Sequence, residues 1–380
     1  MIKPGLKILI PVILLLSTGC NKNQDETDPK PNSQSSSIST LVKDEIIIEA
    51  MVKNYSSMLQ KRLDASTLAS LSFKESIIKF LAKPDTLSLE KAKQQWLESY
   101  LLFNQTAPFR ILQRKSIPGT IDSWPIMPGY IDSIPGFPNS GIVNDITLTL
   151  DEKNLRNQHG LTSPDEVSIG FHAIEFLLWG NPTTQNTNSN AEKTKASKNP
   201  EPETHNQQNV NRFLPVTHWE QAELDVSQHG NNRRRKYLSL STTLLLNDIE
   251  NTNKKVKDIW LLHPEANTVF HALTMQIGKI RKQLSDFNES PYTPDSFSGA
   301  IHNDLALQTL SIVELLKPLT SHEQSNTDKA IQNLSLIIIK TEKTLEELKD
   351  APEENSLWDR LDFNLSQLES LLFSDNKDSN

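Results

Sequence analysis

Apolar residues recurring every three or four positions, in one stretch of chain after another, leave α-helices as the building unit of this sequence. Ile48, Val52, Tyr55 and Leu59 follow that spacing, as do Leu89, Ala92, Trp96, Tyr100 and Phe103. Nearer the end, Ile331, Leu334, Ile338, Thr341, Leu345 and Leu348 alternate steps of three and four, the seam of a packed bundle. A last stripe runs from Leu357 through Leu361, Leu365 and Leu368 to Leu372, with shorter ones at 237–249 and 269–284. Long alternating β-branched runs are absent, and glycine occurs only 12 times in 380 residues. The expected fold class is all-α.

Residues 1–20 have a different character. Lys3 and Lys7 precede an apolar run from Ile8 to Leu16, and Ser17-Thr18-Gly19 leads into Cys20. A run this short suits a signal peptide better than a permanent membrane helix. "LSTGC" also resembles a bacterial lipobox, with Ser17 where a leucine is usual. Cys20 is the sole cysteine, so an internal disulfide is excluded. The expectation is a lipid anchor at Cys20, which supplies the two hydrophobic signals that stable membrane attachment needs. Asn21 is not the aspartate associated with inner-membrane retention, so the outer membrane, facing the periplasm, is the expected location. Residues 21–38 are polar and serine-rich and read as a tether.

The remainder, 39–375, is long enough for two helical lobes, expected at about 39–182 and 211–375. Between them, 183–210 is almost wholly polar and reads as a disordered insertion. Residues 115–145 are rich in proline and glycine, and their Trp, Tyr and Ile content predicts an ordered but irregular loop. A net charge of −8 and a pI near 5.7 argue against nucleic acid as a main partner.

One helix carries the candidate chemistry. A start is expected at Ser163, with Pro164 at the first helical position and Glu166 completing a capping box; Gly180 and Pro182 end it. His172 and Glu175, three apart, then share one side. Ile169, Phe171, Ile174, Phe176, Leu177 and Leu178 surround them, so the helix is buried and its polar pair must be hydrogen-bonded or bound to a ligand. Gly170, read as mid-helix, costs about 1 kcal/mol against alanine, and close approach of a backbone or ligand beside His172 is a reason to tolerate it. On spacing alone, a structural His–Glu pair is the ordinary reading. Two ligands do not make a metal site. Asp122, Asp132, Asp145, His302 and Asp304 are candidates to complete one, with caps and surface contacts as their alternative roles. Trp124, Tyr130 and Phe137 either line the site or pack the loop.

"GFHAIEFLLWG" (170–180) resembles the G-x-H-x-x-E signature of the imelysin family. "AKQQWLESYLLFNQTAPFR" (92–110), "IDSWPIMPGYID" (121–132) with "GIVND" (141–145), "NRFLPVTHW" (211–219), "RRRKYL" (233–238) and "SFSGAIHNDL" (296–305) resemble further family segments in the same order. The resemblance implies two bundle-like lobes with the signature residues near their junction. By it His172 and Glu175 are the signature pair, Gly170 is the signature glycine, and Arg110 matches a family arginine. It also implies a metallopeptidase label and a link to iron uptake. The family's arginine four residues after the tryptophan, and its glutamate eleven after, are here Tyr100 and Ala107. No H-E-x-x-H is present, so a zinc peptidase lacks its usual ligands and base.

The resulting expectation is an envelope lipoprotein binding a metal (iron, zinc or manganese) or a small ligand between its lobes, in metal homeostasis and with an envelope protein as a partner. A metallopeptidase, or a non-catalytic interaction protein that has lost the polar site, are the alternatives.

Overall fold

A computed structural model describes residues 45–113, 119–180, 205–219, 225–260, 265–289, 297–320 and 329–373. The expected signal peptide, Cys20, the tether and residues 183–204 of the polar insertion lie outside the described residues.

The all-α expectation holds. Among the described residues there is no strand, only a single bridge between Ile134 and Phe137. The chain opens with α1 (Glu45–Ala82) and α2 (Thr86–Asn104). Asp85 separates them, its side chain accepting from Ser88 N while the Ser88 hydroxyl accepts from Asp85 N, a reciprocal cap. The short α3 (Ala107–Arg110), α4 (Pro128–Ile131) and α5 (Glu152–Gln158) follow, then α6 (Phe171–Trp179) and α7 (His205–Asn211). Five longer helices complete the chain: α8 (Gly230–Trp260), α9 (Ala266–Glu289), α10 (Ile301–Leu316), α11 (Lys329–Asp350) and α12 (Asn355–Phe373).

Two hydrophobic cores form. The first takes Ile47 to Leu63 of α1 together with the apolar stripes of α9, α10, α11 and α12. The second takes Phe73, Ile77 and Phe80 of the same α1, and adds α2, the 121–150 loop, α6 and Tyr237 to Ile249 of α8. Helix α1 has 38 residues, roughly 57 Å at 1.5 Å each, and so contributes to both cores. Helix α8 does likewise, with Val256 in the first core. The cores therefore do not divide at one point in the sequence.

Where the cores meet, α1 carries a buried Arg62, which donates to Ser311, Glu314 and the carbonyl of Gln105. Ser70 and Ser99, 2.9 Å apart, allow α1 and α2 to approach closely there.

The irregular 119–150 segment is held by arginines. Arg233 donates to the carbonyls of Ile142, Val143 and Leu148. Arg234 and Arg212 converge on Asp132, and Arg235 reaches the carbonyls of Phe213 and Leu81. The arginines of the "RRRKYL" run thus act as internal clamps, Arg233 and Arg235 on backbone oxygens and Arg234 on the buried Asp132 carboxylate.

Two expectations are corrected. The helix predicted from Ser163 begins only at Phe171. Glu166 does cap, but it closes a turn, accepting from Thr162 N and Ser163 N. Gly170 is the N-cap, at a φ of +98°, a left-handed conformation that a continuous helix cannot contain. The polar insertion also ends early: residues 205–211 form α7, where Asn209 and Val210 are buried and Asn209 donates to the Trp179 carbonyl.

A candidate ligand cavity at the junction of the two cores

Helix α6 is buried on every side, and this placement follows from its sequence: eight of its nine residues are buried. Its first turn is fixed from two directions. Phe171 N donates to the Ile121 carbonyl (2.9 Å), and the Trp96 indole donates to the Phe171 carbonyl (3.1 Å). Gly170 permits the first of these contacts. A Cβ at that position would lie 2.2 Å from the Thr120 oxygen and 2.8 Å from that of Ile121, closer than real atoms approach. The close approach expected beside His172 is therefore that of the 119–122 backbone, and it delivers Asp122 to the histidine.

His172 is enclosed by two carboxylates. Its Nδ1 lies 3.0 Å from Oε2 of Glu175, and its Nε2 lies 3.2 Å from Oδ1 of Asp122. Glu175 is fully buried, and its other oxygen accepts from Ser298 N at 2.8 Å. Both Glu175 oxygens are thus committed, and its role is to fix the imidazole. Tyr100 and Trp124 meet the ring edge-to-face, with centroids 5.6 and 5.2 Å away. Asp122 keeps a quarter of its side chain exposed. Burial pushes its carboxyl up, but the hydrogen bond with His172 and the charges of Lys279, His172 and Arg110 outweigh it and hold the group below the usual carboxylate range.

Asp122 and His172 face a cavity of about 270 Å³ between the two cores. Tyr100, Phe103, Ala107, Ile111, Ile121 and Trp124 form its apolar and aromatic walls. The polar lining consists of Arg110, Gly119, Asp122 and His172 together with Gln276, Lys279 and Gln283 from α9. Arg110 lies over the Phe103 ring, 3.8 Å from its centroid, and donates to Thr106 Oγ1 and the Phe103 carbonyl.

The other candidates scatter. Asp304 is buried close behind the cavity and accepts from Gln308 Nε2. Burial, reinforced by the Asp122 charge, pushes it up to about 7. Asp132 is sealed between Arg234 and Arg212, which hold its carboxyl below the ordinary range against the effect of burial. Asp145 binds Thr147 in its own exposed turn, and His302 stacks on Trp358. Neither joins His172. Trp124 lines the cavity, whereas Tyr130 bonds Gln158 and Phe137 is exposed at the surface.

Sequence reasoning missed Gln276, Lys279 and Gln283. Their steps of three and four put them on one side of α9, beside the buried Leu273, Ile277, Ile280 and Leu284. That polar line along an apolar stripe was a readable signal.

A family model described as imelysin, and classed among peptidases, matches residues 59–372. The chain belongs to the imelysin family. Among solved structures, an iron-regulated protein A precursor from Parabacteroides distasonis is similar to this imelysin, at 14% identity and a TM-score of 0.47, over 87% of this chain and 96% of that one. No curated protein matches. Tyr100 and Ala107, the positions at which the sequence was read as differing from the resemblance, both line the cavity.

Metal-ligand chemistry fits this imelysin only in part. Among the described residues no group of three His, Cys, Asp or Glu side chains could by itself hold a metal ion. Two donors are available at the cavity, the imidazole Nε2 and the Asp122 carboxylate, while Glu175 is spent on orientation. This set suits a metal whose remaining positions are filled from outside the chain, and it does not make a closed structural site.

Proposed function

We propose that this imelysin is a binding protein of the cell envelope, anchored by lipid at Cys20, that takes up a metal ion or a small ligand in the cavity between its two cores and serves metal homeostasis. The carrying observation is the His172–Asp122 contact at the cavity wall, with His172 backed by Glu175. A neutral imidazole has one N–H, so a ring between two carboxylates carries a second proton or gives Nε2 to a cation. Glu175 holds the ring for either state. The resemblance to imelysins makes iron the first metal to test, ahead of zinc and manganese. The tether and anchor rest on the sequence at 1–38. No helix among the described residues is long and apolar enough to cross a membrane.

A peptidase role has less support. Among the described residues Asp122 is the one carboxylate lining the cavity, and it is engaged with His172, so that lining offers no separate base to activate a water molecule.

Metal analysis of the purified full-length protein and of His172→Ala tests this reading. One equivalent of metal in the wild type, lost in the variant, supports it. No uptake of any of the three metals, together with no ligand-induced rise in Tm, overturns it.

A further inference from the structure

We infer that the cavity is built for a small hydroxycarboxylate, bound alone or as the chelating partner of a metal; this rests on the binding reading above and names the occupant. Charge supplies the first reason. Among the described residues, Arg110 and Lys279 line the cavity as cations beside His172, whose ring is already backed by Glu175, and Asp122 is the one carboxylate in that lining. A bare divalent ion would meet Arg110 and Lys279 as like charges, whereas an anion is attracted to both, and desolvated walls strengthen that attraction.

Hydrogen bonding supplies the second. Gln276 lines the cavity and is fully buried, yet its Oε1 has no hydrogen-bond partner among the described residues. Oε1 of Gln283, one further residue of the lining, is likewise buried and unpartnered. Buried acceptors left in this state are costly, and they are usually met by a ligand or water. The orientation of Gln276 is set from behind. Gln276 Nε2 donates to Gln308 Oε1 at 2.7 Å, and Gln308 Nε2 donates to Asp304 Oδ2 at 2.7 Å. A donor relay that ends on a carboxylate turns the amide oxygen of Gln276 away from that relay. The cavity therefore combines cations for carboxylates with neutral acceptors for hydroxyl donors. An ammonium donor fits less well, because Arg110 and Lys279 repel it. At about 270 Å³ the space is below the roughly 300–1,000 Å³ of sites for drug-sized ligands, so the occupant is small.

Calorimetric titration of the full-length protein with four probes tests this: citrate, tricarballylate (the same three carboxylates without the hydroxyl), glutamate, and ferric citrate. Citrate or its ferric chelate should bind, tricarballylate about tenfold more weakly, and glutamate more weakly than citrate. Lys279→Gln should weaken citrate about tenfold with Tm unchanged. Tighter binding of the ferric chelate than of citrate identifies the metal-loaded form as the occupant, and equal binding identifies the free anion. Citrate and tricarballylate binding alike, glutamate binding best, or neither citrate form binding would overturn the inference. If Lys279→Gln does not fold, the wild-type comparison of citrate with tricarballylate still decides. Zinc or iron alone binding through His172 while every carboxylate fails would overturn this inference and leave the binding reading standing. No binding of any probe or metal would remove both.

Discussion

Nε2 of His172 lies 3.2 Å from the carboxylate of Asp122, a residue fifty positions earlier in the chain. The two come together because Gly170 lets the backbone at Thr120 and Ile121 lie against the start of α6. The signature glycine thus builds the site through the loop that carries Asp122.

Gly170→Ala tests that relationship. The added methyl would collide with the Thr120 oxygen, and alanine would be held at a φ of +98°. Loss of at least about 2 kcal/mol of folding stability is expected from the strain and the displaced backbone. Urea denaturation of the variant beside the wild type measures it, and an unchanged midpoint would show that the loop approaches some other way.

Glu175→Gln isolates the orienting carboxylate. Both oxygens of Glu175 accept, one from Ser298 N and one from His172 Nδ1, but an amide has only one acceptor oxygen. One buried donor is left facing an NH₂ group, so a loss of about 1–3 kcal/mol is expected. Ligand binding should weaken as well, because the ring loses its fixed orientation. Denaturation and calorimetry on the same variant report the two effects separately.

Asp304 should make stability depend on pH. Its carboxyl is pushed up to about 7 in the folded protein, whereas an unfolded aspartate titrates near 3.9. Below both values the group is neutral in either state. As the pH rises from about 4 to 7 the unfolded chain loses this proton first, so the contribution of Asp304 to stability falls across that window and stays low above it. Asp304→Asn cannot titrate. It should flatten that part of the profile and raise stability at pH 8 by on the order of 2 kcal/mol. Chemical denaturation at pH 4, 6 and 8 checks the sign; a variant less stable than wild type at pH 8 would contradict it.

Asp132→Ala should be among the most destabilising single changes. It would leave Arg234, itself buried, and Arg212 without the carboxylate on which both converge. Removing one partner of a buried ion pair costs roughly 3–5 kcal/mol. Tm should drop accordingly, while a drop no larger than that of an exposed-site control such as Glu152→Ala would argue against the clamp.

Much of the helical architecture was legible in the sequence, because helix α2 and the last two helices bury the residues their periodicity marks. Trp96, Leu345 and Leu368 lie inside, as their spacing requires. The start of α6 was not legible. Ser163 and Glu166 carry capping chemistry that serves a turn as well as a helix, and only the backbone angle at Gly170 separates the two. Helix α7 was hidden for a different reason. Its residues are polar, and it is ordered by contacts such as Asn209 with Trp179, which no local pattern encodes. The site was half legible. His172 and Glu175 share a turn of one helix, so their pairing could be read from spacing. Asp122, Lys279 and Gln276 reach the cavity from elements remote in sequence; Asp122 was one of five acidic or histidine candidates that spacing could not choose among, and the polar line of α9 could be read as a face but not assigned to this cavity.

The most direct test is a crystal grown with zinc and citrate together and measured at the zinc absorption edge, to place the metal by its anomalous scattering. An anomalous peak at the cavity wall, within coordination distance (about 2.0–2.2 Å) of His172 Nε2 and an Asp122 oxygen, is the predicted result. A metal peak elsewhere on the protein, or a cavity that holds neither metal nor citrate when both are supplied, would contradict the account.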